Sequence, residues 1–229
     1  MKSYIQKISN MISQSMLVGV FVLFTTSVHA ASAKIGVIVF DGVLTSDVTA
    51  PIEVFGAASK KAWFSDYEVV VVSATKNKTI KTEEGLTITA DKTIYDPLTL
   101  DVVIVASAYN MSPVLNNETL IKFVEDQHGQ ASWMASNCSG AMILAEAGVL
   151  DGKNATTWAG GEEDFADDYP KVKVQFDKNF VIDEGVLTSN GGPVSYQAAF
   201  ALLEQLSSDA FSQEIAELIQ FNRLETAFK

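Results

Sequence analysis

Three short, almost continuous apolar runs constrain this chain most: Ile35 to Phe40, Tyr67 to Ser73 and Asp101 to Ala106. Each is too short for an ordinary helix and too apolar for a strand with one wet face. Each is therefore expected as a strand covered on both sides. Segments with helical character lie between them. Thr49 to Lys60 is one, with Pro51 tolerable in its first turn, and Asn116 to Gln127 is another, with Leu120, Ile121, Phe123 and Val124 inward. Strands alternating with helices predict an α/β fold with a mainly parallel sheet. Ligands of such sheets bind beyond the carboxyl ends of the strands.

The remaining segments fit the same plan. Gly85 to Ala90 alternates apolar and polar and is expected as a half-buried or edge strand. Val172 to Phe176 and Phe180 to Asp183 are expected to pair around a turn at Asp177-Lys178-Asn179. Val186 to Ser189 reads as a short strand, and Gly191-Gly192-Pro193 opens a helix running to about Leu206. A last helix from Asp209 puts Phe211, Ile215, Leu218 and Ile219 on one face, for the core or a subunit contact. The whole reads as one domain over residues 31–229, with a helical extension from about residue 207.

Residues 1–30 have the pattern of a secretory signal peptide. Lys2 and Lys7 precede the apolar run Met16 to Phe24, and Val28-His29-Ala30 suits cleavage. Nine apolar residues are too few for a span, which needs about 20, so a periplasmic or secreted protein without a membrane anchor is expected. After Ala30, 14 basic residues face 28 acidic ones, a net charge of −14 that disfavours nucleic acid and anionic membranes. One Cys excludes an internal disulfide, and one Cys with one remaining His makes a structural zinc site improbable. No metal or cofactor is expected.

That cysteine is the first candidate for chemistry. Cys138 stands in Ser136-Asn137-Cys138-Ser139-Gly140-Ala141, between a strand-like run from Ala131 to Ala135 and a helix-like run from Ala141 to Ala147. Small neighbours permit a tight turn that presents the thiol at a helix N-terminus, whose partial positive charge favours thiolate. This is the logic of a nucleophile elbow. A buried structural Cys is the plainer alternative.

Asp47 follows the first strand and so lies at the same sheet edge. Protonated, it could donate to the thiolate; ionised, it would raise the thiol pKa; or it could simply cap the next helix. Glu53 is the second-choice carboxylate. His128, ten residues before Cys138, belongs at the opposite end of the elbow strand, ~20–30 Å away. A Cys-His hydrolase mechanism is therefore disfavoured. The N–H groups of Ser139 and Gly140 could hold an oxyanion, and the Ser139 hydroxyl could bond a substrate atom. Ser107, Ala108 and Tyr109 end the Asp101 run and are expected to face the site, with Trp158 as an apolar wall. The acidic cluster Glu162, Glu163, Asp164, Asp167 and Asp168 reads as a solvated face.

The order of these motifs resembles the DJ-1/PfpI superfamily over residues 34–206. Four pieces carry the likeness: Ile38 to Gly42 leading into Ser46 to Phe55; Gly85 to Asp91; Ser136 to Ala141 with Leu144 to Gly152; and Ala155-Thr156-Thr157. The branch it looks most like holds isonitrile hydratases and the amidase-like domains of AraC-type regulators. A DNA-binding domain after residue 206 is not expected. The resemblance implies a flavodoxin-like three-layer sandwich, a homodimer, Cys138 as reactive residue, Asp47 as its acid and Ser139 as helper. It also implies addition of water to an isonitrile to give an N-substituted formamide. The chain departs from the pattern at Trp158, where many members have His, and at Ser107-Ala108, where many have Gly-Gly. Two readings follow. One is a Cys-dependent hydratase or lyase acting on a small electrophilic molecule. The other is a non-enzymatic protein that binds a small ligand or senses oxidants through the same Cys.

Overall fold

The computed structural model describes residues 33–61 and 67–224. The segment read as a signal peptide lies outside the described residues. The chain enters with β1 (Ala33–Val39), turns into α1 (Thr45–Lys61) and returns as β2 (Tyr67–Ser73). Three short strands follow: β3 (Thr79–Lys81), β4 (Thr87–Thr89) and β5 (Lys92–Thr93). Then come β6 (Val102–Val105), α2 (Ser112–Leu115), α3 (Glu118–His128), β7 (Trp133–Asn137) and α4 (Gly140–Glu146). The last third holds β8 (Asn154–Ala155), α5 (Glu162–Asp168), β9 (Lys173–Val174), β10 (Phe180–Asp183), β11 (Val186–Ser189), α6 (Val194–Leu206) and α7 (Asp209–Leu218).

The main sheet runs in the order β10-β11-β7-β6-β1-β2-β5. Every neighbouring pair is parallel except β10 with β11. Period-two alternation sends side chains to opposite faces. Val103, Val105, Met134 and Val186 pack with Leu120 and Val124 of α3 and Ile143 and Leu144 of α4. Val102, Ile104, Ala135 and Leu187 pack with Val54 and Phe55 of α1, Phe200 and Leu203 of α6, and Ile215 of α7. This is the expected three-layer, mainly parallel sandwich of flavodoxin-like form. It leaves β1, β6, β7 and β11 side by side, so their carboxyl ends converge on one rim.

One expected pairing differs. Lys173–Val174 does not pair with Phe180–Asp183. It runs parallel to Asn154–Ala155, and Gln175 N–H extends the pairing to Ala155 O at 2.8 Å. The chain turns at Asp177, with φ 54, and β10 then pairs antiparallel with β11. The turn residues were legible, but β10 pairs with the strand that follows it, and Lys173–Val174 pairs with one on the far side of α5. The half-buried or edge strand expected within Gly85 to Ala90 is Thr87–Thr89, which pairs with Thr79–Lys81 in a separate two-stranded hairpin. α7 closes the second core, with Ile215 fully buried and Ser212 Oγ donating to Phe200 O at 2.9 Å. Among the described residues no helix is long and apolar enough to cross a membrane.

Candidate functional site

Cys138 joins β7 to α4 at a sharp corner, with φ 52. A side chain in that left-handed region costs about 1–2 kcal/mol, so neighbours must impose it. They do. Cys138 N–H donates to Ser189 O at 2.8 Å, and Thr157 Oγ1 donates to Cys138 O at 3.2 Å. On one side, a Cβ on Gly140 would sit 2.5 Å from Val105 O and 3.0 Å from Ala106 O, so α4 can start there only without a side chain. On the other side stands Gly191, with φ 77. A Cβ there would strike Cys138 Cβ and lie 2.9 Å from Cys138 N and 3.0 Å from Asp47 Oδ1. The bare Cα of Gly191 is where the corner and the acid meet.

Asp47 occupies the first turn of α1 and is fully buried. Its Oδ1 accepts from Gly192 N–H at 2.8 Å and from Ser195 Oγ at 2.9 Å. Ser107 Oγ lies 2.5 Å from its Oδ2. Burial raises the Asp47 pKa more than these hydrogen bonds lower it. Burial likewise pushes the half-buried Cys138 thiol up, the Ser107 hydroxyl pulls it down, the Asp47 charge pushes it up, and the N–H and hydroxyl of Ser139 pull it down. The helix N-terminus was expected to favour thiolate. Desolvation prevails, so the resting pair holds its protons more tightly than free side chains do.

The Asp47 shift has a consequence for stability. The folded state keeps a proton that the unfolded chain releases above its ordinary value of 3.8. Stability therefore falls as pH rises from there through the raised folded pKa, and then levels off. In Asp47→Asn, the amide oxygen can still accept from Gly192 and Ser195 and the NH₂ can face Ser107, but the site no longer titrates. The variant should match the wild type in acid and become progressively more stable than it towards neutral pH. Urea midpoints across that range test this, and a gap that does not change with pH refutes it.

The backbone at Asp47 is also held by the site. Pro51 lies inside α1 and lacks an N–H, which frees the carbonyl four residues earlier. That carbonyl belongs to Asp47, and Asn137 Nδ2 donates to it at 3.1 Å. Asn137 Oδ1 in turn accepts from Ser189 Oγ at 2.6 Å. A residue next to Cys138 thus ties the acid's helix to the cysteine's strand. Asn137→Ala should cost about 1–3 kcal/mol through the orphaned groups. In a Pro51→Ala background the new N–H can take the Asp47 carbonyl, so the same change should cost less. Denaturant unfolding of the four proteins measures this, and strict additivity would reject the coupling.

The other predicted residues divide. Ser107 is sealed beneath the site, and Ser139 Oγ donates to Ala108 O at 3.2 Å. Ala108 N–H is taken by Met111 Sδ at 3.3 Å. Tyr109, expected to face the site, is 79% exposed. Trp158 is half-buried, its indole packed close against Gly161, one residue from the Thr157 that anchors Cys138. His128 is exposed at the end of α3, before β7 begins. Glu53 is exposed and accepts from Tyr196 OH at 2.5 Å. Sequence reasoning missed Asn137, Ser189 and Ser195. Only the Gly191-Gly192 pair hinted that the segment before α6 enters the site. Among the described residues, no three His, Cys, Asp or Glu side chains converge to hold a metal ion.

Fold and site together define a flavodoxin-like α/β protein with a cysteine at a strand-to-helix corner beside a buried carboxyl. The DJ-1/PfpI family profile matches residues 33–205, and the chain belongs to that family. It is 29% identical over 188 residues to the isonitrile hydratase of Pseudomonas putida, covering 82% of this chain and 76% of that one. The crystal structure of a THiJ/PfpI family protein from Pseudomonas syringae superposes with TM-score 0.73 at 19% identity, over 83% of this chain and 75% of that one. Drosophila melanogaster DJ-1beta gives TM-score 0.71 at 21% identity, over 82% of this chain and 98% of that one.

Proposed function

We propose that this protein is a cysteine-dependent hydratase that adds water to a small electrophilic carbon, an isonitrile in the first instance. The observation that carries this is the buried Asp47, bonded to Ser107 and felt by Cys138 through its charge, with no histidine in reach among the described residues. Hydration suits such a pair because there is no amine leaving group to protonate. Cys138 Sγ adds to the terminal isonitrile carbon, and the proton supplied from the Asp47 side goes to that same carbon. The product of this step is a thioimidate, R–N=CH–S. Water then adds across C=N, and collapse expels the thiolate and leaves R–NH–CHO. The hydroxyl proton released in the collapse returns to the Asp47 carboxylate, so the thiolate and carboxyl are restored and the balance is one isonitrile plus one water to one formamide. The Ser139 N–H, which pulls the Cys138 thiol pKa down, suits charge that develops next to the sulfur.

We further propose export, from the basic start and nine-residue apolar run near the N-terminus, and a homodimer. The test of function is the incubation of purified protein with alkyl isonitriles of graded size, reading the formyl proton of the product by NMR. Catalytic formation of N-alkylformamide is expected. No formamide above the buffer rate across the series would overturn the hydratase. The ligand-binding or oxidant-sensing reading predicts that result instead, with stoichiometric oxidation of Cys138 by dilute peroxide.

A further inference from the structure

Ser107 lies two residues past the end of β6 and is wholly buried. Its backbone is pinned, with Leu44 N–H donating to Ser107 O at 2.8 Å and Ala108 bridging to Val43. Its Oγ is 2.5 Å from Asp47 Oδ2, and the same hydroxyl pulls the Cys138 thiol pKa down. Asp47 pushes the thiol pKa up through its charge. The Ser107 hydroxyl thus acts on both members of the pair.

A hydroxyl carries one hydrogen and two acceptor sites. It cannot donate to carboxylate and thiolate together. Two arrangements satisfy all three groups. With Asp47 ionised, Ser107 donates to Oδ2 and accepts from the thiol. With Asp47 protonated, the carboxyl donates to Ser107, which donates to the thiolate. Oδ1 already accepts from Gly192 N–H and Ser195, so the carboxyl proton belongs on Oδ2, facing Ser107.

We infer that Ser107 is a proton relay between Asp47 and Cys138, rather than a residue that contacts substrate. This rests on the reading of Cys138 and Asp47 as the reacting pair. In one pass the Oδ2–H proton moves to Ser107 Oγ while the Ser107 proton moves to Sγ. Carboxyl, hydroxyl and thiolate become carboxylate, hydroxyl and thiol, with charge conserved and no heavy atom displaced. The reverse pass generates thiolate for attack. Asp47 can thereby exchange a proton with the sulfur while staying anchored to Gly192 and Ser195.

The test is the rate of Cys138 alkylation by iodoacetamide against pH, which needs no substrate. Ser107→Ala removes a donor to the thiolate and should raise the apparent thiol pKa by about one to two units. Asp47→Asn should lower that pKa in the wild type, by removing a negative charge and by leaving Ser107 free to donate to sulfur. In the Ser107→Ala background only the charge effect remains, so Asp47→Asn should give less than half the wild-type shift. Ser195→Ala removes the other hydroxyl on Asp47 and should leave that shift at full size. Ser107→Gly, also without hydroxyl, should reproduce Ser107→Ala; near-UV circular dichroism identifies which variants are folded. An Asp47→Asn shift of equal size with and without the Ser107 hydroxyl overturns the relay. Coupling without any formamide would overturn the hydratase and keep the relay. Formamide with unchanged coupling would do the reverse.

Discussion

Cys138→Ala should lose formamide formation by at least ~10³-fold, because no other group at the corner can form the bond to carbon. Ser139 is the nearest rival nucleophile, but its hydroxyl donates to Ala108 O and no base accompanies it. Cys138→Gly should be equally inactive and yet more stable than Cys138→Ala. The reason is backbone geometry: φ 52 penalises any residue with a Cβ by about 1–2 kcal/mol. Glycine loses more entropy on folding, by about 0.5–1 kcal/mol, so the net advantage should be about 0.5–1 kcal/mol. Urea unfolding of the two variants gives the stability comparison, and steady-state formamide assays give the activity. Residual turnover within tenfold of the wild type would remove Cys138 from the chemistry, and an alanine variant as stable as the glycine one would mean the corner relaxes.

The second large effect belongs to Gly191→Ala. Two penalties coincide there. The left-handed φ costs about 1–2 kcal/mol, and overpacking against Cys138 Cβ adds about 1–3 kcal/mol. The new methyl would press on atoms of a β-strand end and a buried carboxylate, none of which is a flexible side-chain tip. A total loss of about 2–5 kcal/mol is expected, with a ~10²-fold fall in turnover because the thiol and acid are pushed apart. Gly148→Ala is the matched comparison. It has φ 71 but open space around its Cβ, and it lies past the far end of α4. It should lose only the backbone part, about 1–2 kcal/mol, and keep its turnover. Equal losses at both positions would show that contact with Cys138 is not what fixes Gly191.

The parts of this molecule that could be read in advance are those with local causes. Continuous apolar runs produced β1, β2 and β6, because a strand covered on both faces needs no polar alternation. The corner at Cys138 was legible because small residues and a strand-to-helix switch lie within six positions. Asp47 was legible as a residue of the same rim. What escaped was set by partners distant in the chain. Lys173–Val174 carries a strand pattern, but nothing near it says that it pairs with Asn154–Ala155. Ser195 looks like an ordinary residue of a helix first turn, and only the folded sheet brings it to Asp47, 148 residues away in sequence. Asn137 stands in the Cys138 motif, yet its task depends on a carbonyl released by Pro51. The direction of the Cys138 shift was missed for a related reason. The helix end is a local feature, whereas burial is a property of the whole fold.

The four converging strand ends also bear on how the chain reaches its native state. Asp47, Ser107, Cys138 and Gly191 come from four separate stretches of sequence, and each follows a different strand of the contiguous order β11-β7-β6-β1. Parallel strands cannot assemble from neighbouring hairpins, so such long-range pairings form slowly. Until β11 docks, Cys138 lacks Ser189 O and Gly191, and Asp47 lacks Gly192 and Ser195. The thiol of a partly folded chain is then an ordinary one. Its alkylation profile during refolding is therefore a clock for the final closure of the sheet, readable at a single atom without any added label.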